Sequence, residues 1–293
     1  MQPYERRSVD SQVVPSATPP LSRLPETTAG TLLGGRIAYQ QFRNGYRTGL
    51  EPVLMAALVP ARPGERVLEA GCGAGAGLLC LTARVPQLTT IGIELDSETA
   101  ALAAANAATN ERPNIHIVSG DICNAAVLPP GSSRFDHVFA NPPWHRADAT
   151  ASPHHRRDKA RRAQTDTFVR WIKSLATLLR QKGSMTLALP SSRLAEALAA
   201  CEATGIGSVE MVPLWPHAGE EARIVLLRGR QGGQAGSRLL PGLVLHDDKN
   251  DFTPEAQALL REGHALFPDS FRKAGRSSVL QITRTESGDK NVL

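Results

Sequence analysis

Cysteine is scarce in this chain: the four in 293 residues, Cys72, Cys80, Cys123 and Cys201, stand far apart and form no CxxC pair. That spacing has no metal-ligand rhythm, so no metal site is expected, and it fits reduced thiols in a cytoplasmic protein. No run of about 18 apolar residues occurs, which removes a transmembrane helix and with it a membrane partner. Arg6 and Arg7 are followed by no apolar run of the length a secretory signal needs. Internal repeats are also missing. Residues 1–29 repeat proline and serine without periodicity and read as a disordered tail. What remains is 41% hydrophobic, enough for a full α/β core, and carries a net charge of +5 that permits a nucleic-acid partner.

From residue 65 onward, short β-branched runs alternate with helix-period runs, the pattern of a parallel sheet covered on both faces. Strands are expected over 65–71, 89–96, 115–121 and 135–141, and Asp96 or Ser97 can cap the helix after the second. Phe168, Trp171, Ile172, Leu175, Leu178 and Leu179 recur at helical spacing before the strand SMTLALP, and another helix spans 191–205 with glycine at its end. Residues 209–216 and 222–230 are then two strands with no helix between them, so they must run antiparallel. The expected fold is a Rossmann-like, seven-stranded α/β sheet, mostly parallel with a terminal antiparallel hairpin. It is the architecture of class I methyltransferases that use S-adenosylmethionine. The domain is drawn over 30–230, followed by a flexible connector at 231–238 and a small C-terminal extension over 231–293 with a flexible end. Thr253 and Pro254 open a helix within that extension.

EAGCGAGAG, residues 69–77, joins the first of these strands to a helix. Gly71, Gly73 and Gly75 let the backbone approach a ligand closely, and the helix start offers free N–H groups. The same letters loosely fit a dinucleotide fingerprint, so the loop alone leaves both ligands open. Glu94 ends the next strand, 23 residues after Gly71, where it can accept from both ribose hydroxyls; Asp121 ends the third, facing an adenine amino group. Glu69 favours S-adenosylmethionine, because a carboxylate repels a pyrophosphate and attracts a sulfonium.

NPPW, residues 141–144, follows the fourth strand. An amino group conjugated to a ring is a poor nucleophile, and two acceptors pulling on its hydrogens can turn the lone pair outward. The Asn141 side-chain oxygen and the Pro142 carbonyl supply them; Pro142 and Pro143 stiffen the turn, and Trp144 gives a face on which a base stacks. In order along the chain, GYRTGLEPVLMAA, EAGCGAGAG, IELD, SGDI and NPPWH resemble the adenine amino-methyltransferases, most closely the bacterial tRNA1(Val) (adenine-N6) methyltransferase family, over about residues 30–265. Glu51 stands where that family usually has Asp, and Trp144 where it often has Tyr or Phe. The resemblance implies that Tyr46, Arg47 and Thr48 contact the methionine end of the cofactor, that Asp121 and Ile122 of SGDI belong to the cofactor site, and that the acceptor is an adenine near the tRNA anticodon. NPP(Y/F/W) is shared with release-factor glutamine methyltransferases and ribosomal guanine methyltransferases, which stay open as alternatives, as does a noncatalytic module that only binds cofactor and RNA. After NPPW, Arg146, Arg156, Arg157, Lys159, Arg161 and Arg162 crowd into residues 144–164, a phosphate-contacting surface beside the proposed active site. Adjacent His154 and His155 do not make a metal site. A monomer is the default expectation.

Overall fold

The computed structural model describes residues 24–45, 47–124, 127–128, 134–143 and 165–267. Five strands run parallel and in neighbouring register: β3 (Arg66–Ala70), β4 (Thr89–Glu94), β5 (Ile115–Ser119), β6 (Phe135–Ala140) and β7 (Leu179–Pro190). β8 (Ile206–Trp215) and β9 (Ile224–Gln231) form the expected hairpin, with β9 inserted antiparallel between β7 and β8. The strand order β8-β9-β7-β6-β3-β4-β5 is that of the class I methyltransferases.

Period-two alternation sends successive residues to opposite faces, and each face has its own core. Val67, Phe139, Ala188 and Leu226 lie in one apolar cluster, while their chain neighbours Leu68, Val138, Leu189 and Leu227 lie in the other. Strands buried on both faces require helices on both, and the short apolar runs of the sequence are the consequence. The first cluster takes α1 (Glu51–Leu58), apolar on every side, and α2 (Ala76–Arg84). The second takes α4 (Thr165–Leu178), which contributes Phe168, Ile172 and Leu175, and α5 (Leu194–Ala203). α3 (Ser97–Thr109), between β4 and β5, is capped by Asp96, whose side chain accepts from the Thr99 N–H at 3.0 Å.

Three boundaries differ from expectation. The tail drawn over 1–29 is too long, because β1 (Thr27–Leu32) pairs antiparallel with β2 (Ile37–Phe42) from Thr27↔Phe42 to Leu32↔Ile37. The connector drawn at 231–238 is tied down: Gln231 closes β9, Gly232 N–H donates to the Gly205 carbonyl at 2.8 Å, and Ala235 N–H donates to Ser208 Oγ at 3.0 Å. The extension also joins the sheet instead of standing apart, since β10 (Arg238–Leu239) and β11 (Leu243–Val244) each pair with β8, bringing the sheet to nine strands. α6 (Pro254–Leu260) opens as expected, with Thr253 Oγ1 accepting from Ala256 N–H. The expected tail after Pro268 lies outside the described residues.

Candidate active site at the carboxyl ends of the parallel strands

The ladder aligns the candidate groups. Ala70 pairs with Ile93 on one side and Ala140 on the other, so Glu94, Gly71 and Asn141 leave three adjacent strands in one row. At one strand spacing each, the row from Glu94 to Asn141 spans about 10 Å. Asn141 is half-buried and Pro142 buried behind it. Trp144 and the basic residues Arg146, Arg156, Arg157, Lys159, Arg161 and Arg162 lie outside the described residues, as does Tyr46.

The loop after β3 is held from beneath. Gly71, Gly73 and Gly75 have φ of 65°, 54° and 89°, values open to glycine. Gly71 also has no room for a side chain, because a Cβ there would stand 2.8 Å from the Trp171 ring of α4. Gly71 and Cys72 donate to the Ile93 carbonyl at 2.7 and 3.1 Å. Glu94 then binds the loop itself: Oε2 accepts from Gly73 N–H and Oε1 from Asp96 N–H, both at 3.0 Å. Burial pushes its carboxyl above the usual range, against the pull of those two bonds. A carboxylate has about four lone-pair sites, so two backbone bonds leave capacity for ribose hydroxyls.

Glu69 does more than the sequence suggests. It is 3% exposed, and its Oε2 accepts from the Leu78 N–H of α2 at 3.1 Å. Burial pushes its carboxyl well above the usual range, the Leu78 bond works against that, and Glu94 adds to it. Besides standing next to the glycine loop, Glu69 supports the start of α2 through the Leu78 bond. Asp121, exposed at the end of β5, accepts from Cys123 N–H at 2.8 Å, and Ile122 beside it is buried.

The segment ahead of the loop is anchored through the β1–β2 hairpin. Thr48 Oγ1 and the buried Tyr39 hydroxyl share a hydrogen bond of 2.7 Å, Thr48 N–H donates to Gln41 Oε1, and Arg47 donates to Thr28 Oγ1 at 3.3 Å. Burial raises the Tyr39 phenol, the Thr48 bond opposes it, and nearby Glu69 adds to the rise. Thr48 is thus tied to a buried tyrosine of β2, whereas Arg47 is occupied on the hairpin.

Two residues that sequence reasoning passed over fix this arrangement. Asn106 of α3 donates to the carbonyls of Gln40 (2.8 Å) and Ala74 (2.9 Å) and accepts from Gln40 N–H (3.0 Å). One turn later Asn110 accepts from Ala38 N–H (3.0 Å) and donates to the Ala38 carbonyl (2.7 Å). Two side-chain amides at i and i+4 thereby pair with alternate residues of β2 as a neighbouring strand would, and one of them also holds the glycine loop. Asparagine inside a helix is unfavourable by itself, and that spacing is the signal in the sequence.

The description "Methyltransferase domain" matches residues 67–183. A tRNA1(Val) (adenine(37)-N6)-methyltransferase of Porphyromonas gingivalis is 30% identical over 236 residues, 77% of this chain and 90% of that protein. The protein of the same description from Dickeya chrysanthemi is 27% identical over 239 residues, 78% of this chain and 93% of that one. Among solved structures, a predicted O-methyltransferase of Agrobacterium tumefaciens superposes with a TM-score of 0.60 at 24% identity, over 73% of this chain and 96% of the other, a likeness of fold.

Proposed function

Because the chain belongs to the tRNA1(Val) (adenine(37)-N6)-methyltransferase family, we propose that it methylates the exocyclic amino nitrogen of adenine 37 in that tRNA. The observation that carries the reading is the row Glu94, Gly71, Asn141 across adjacent strand ends. A glycine loop in left-handed conformations beside a strand-end carboxylate fits an adenosyl group, and an amide one strand further on fits an amino acceptor. S-adenosylmethionine is the cofactor and supplies an electrophilic methyl group. Gly71, Gly73 and Gly75 receive it against the backbone, Glu94 accepts from its ribose, and Asp121 and Ile122 flank its adenine. Tyr46, Arg47 and Thr48 close the methionine end; Thr48 does so from its bond to Tyr39, and Arg47 must leave Thr28 to take part.

Asn141 Oδ1 and the Pro142 carbonyl accept the two hydrogens of the adenine amino group and turn its lone pair out of conjugation. A neutral amide oxygen does this without taking the proton, which the methylated amino group then releases to water, and the stiff Pro142-Pro143 backbone keeps the acceptors in place as charge develops. Trp144 stacks on the base, and the cations from Arg146 to Arg162 contact the RNA backbone. The enzyme works in the cytoplasm, where its tRNA is; among the described residues no helix is long and apolar enough to cross a membrane.

The test is single-turnover methylation of unmodified tRNA1(Val), with the product mapped by mass analysis of nucleosides. N6-methyladenosine at position 37 is expected. Asn141→Ala should slow transfer by roughly 10² to 10³ with cofactor affinity retained, and Asn141→Asp, which keeps an acceptor, should preserve part of the rate. Methylation of a release-factor glutamine or a guanine in its place refutes the assignment.

A further inference from the structure

The carboxyl ends of the parallel strands account for one end of the sheet. At the amino ends lies a cavity of about 400 Å³ that the transfer reaction does not use. On its floor are His137 of β6 and Ser184 of β7, partners in the ladder, with His137 Nδ1 2.7 Å from Ser184 Oγ and Nε2 2.8 Å from Glu65 Oε2. Around them stand Arg62, Arg84, Arg180, Lys182, Arg228 and Arg230. Pro60, Leu266 and Phe267 give the cavity an apolar side.

Among the described residues Arg228 is paired with Glu210 and Arg180 with Asp136, and Glu65 adds a carboxylate to the lining. Neither Arg62 nor Lys182 has an ion pair among the described residues. Arg84 spends one amino group on the carbonyls of Ala56 and Val59, at 2.8 and 2.6 Å, while its buried Nε makes no hydrogen bond among the described residues. Burial draws Arg84 down to about 10. Arg230 is also drawn down, first by burial, with Glu210 pulling the other way and the charges of Arg62 and Arg180 adding to the fall. Lys182 reaches this ring from a left-handed backbone, φ 64°, a strained conformation for a side-chain-bearing residue. Like charges gathered in a concavity repel one another, and an anion there relieves the cost.

Guanidinium forks match the oxygens of phosphate in pairs, and the cavity is larger than one phosphate needs. We infer that it is a second ligand site that takes a small phosphorylated molecule of nucleotide size. Its phosphates lie between Arg62 and Lys182, and its uncharged part rests on Pro60, Leu266 and Phe267.

Calorimetry on the full chain at fixed ionic strength, with inorganic pyrophosphate and with ADP as probes, tests this. Saturable binding at one site is expected, weakened at least ten-fold in Arg62→Gln/Lys182→Gly. Glycine at 182 keeps the left-handed backbone, and an unchanged melting temperature of the variant shows the loss to be local. Arg223→Gln, an exposed cation at the other end of the sheet, should leave binding intact. Pyrophosphate and tRNA should bind simultaneously; displacement of pyrophosphate by tRNA would give the site to a polynucleotide backbone and overturn the inference. The inference is overturned if neither probe saturates, if the double variant binds as the wild type does, or if Arg223→Gln weakens binding equally, which is attraction to a basic surface.

Discussion

Replacing Asn106 by alanine tests whether the glycine loop and the hairpin are held by a side chain. Asn106 is 2% exposed, and its amide makes three hydrogen bonds, two to Gln40 and one to Ala74. Asn106→Ala strands three backbone groups. At about 1 kcal/mol net for each the loss is roughly 3 kcal/mol, and it is larger for any group that stays dry. Alanine returns about 0.6 kcal/mol through its helix propensity, leaving about 2.5 kcal/mol. Asn110→Ala also removes a pair of bonds to β2, but at an exposed site where water takes them over, so it should cost less than about 1 kcal/mol. Urea unfolding reads both as midpoint shifts at unchanged slope. Calorimetric titration with S-adenosylmethionine should show weaker binding in Asn106→Ala alone, since only Asn106 reaches the loop. Equal shifts in the two variants, or unchanged cofactor affinity in Asn106→Ala, would refute the anchoring role.

Glu69→Gln keeps an acceptor for Leu78 N–H. Because burial raises the Glu69 carboxyl in the folded state, its stabilisation is complete below the ordinary carboxyl range and is lost as pH rises towards the raised value. The wild type should therefore lose stability relative to Glu69→Gln with rising pH in urea midpoints taken at stepped pH, and parallel curves would contradict this. Gly71→Ala places a Cβ at φ 65° and 2.8 Å from the Trp171 ring, so a loss of about 2 kcal/mol is expected, with altered Trp fluorescence and weaker cofactor binding. Trp171→Leu in the same chain should restore part of it; no restoration would mean that the indole is not the obstacle. Arg228→Met leaves the buried Glu210 with Arg238 as a partner among the described residues, so it should cost less than the roughly 3 to 5 kcal/mol of a fully unpaired buried charge. Adding Glu210→Gln should recover part of that in a double-mutant cycle, and strict additivity would show that the two do not interact.

The sheet was legible because each central strand is a short run buried on both faces, and the helix caps at Asp96 and Thr253 were legible because capping is local. The β1–β2 hairpin was not. TTAGTL has no apolar alternation, and what holds β2 includes Asn106 and Asn110, more than 60 residues away in sequence. The placement of the candidates Gly71, Glu94 and Asn141 at neighbouring strand ends was legible, since strand ends follow from strand spans. Their partners were not, because the direction of a side chain depends on packing. Glu69 is the clearest case: its place beside a glycine loop is readable, but its burial under α2 and its bond to Leu78 N–H are not.

The outer edge of β8 carries a row of backbone N–H and C=O groups that would suit an incoming strand of another molecule. β10 and β11 occupy that edge with two residues each, and Pro241 between them has no N–H to offer. Arg238 of β10, bonded to the buried Glu210 of β8, pins the first of these pieces. Strands so short and so interrupted satisfy the edge and provide no continuous template for the next chain. The C-terminal extension thus covers this edge, and removing it would leave the backbone groups of β8 open to an incoming strand.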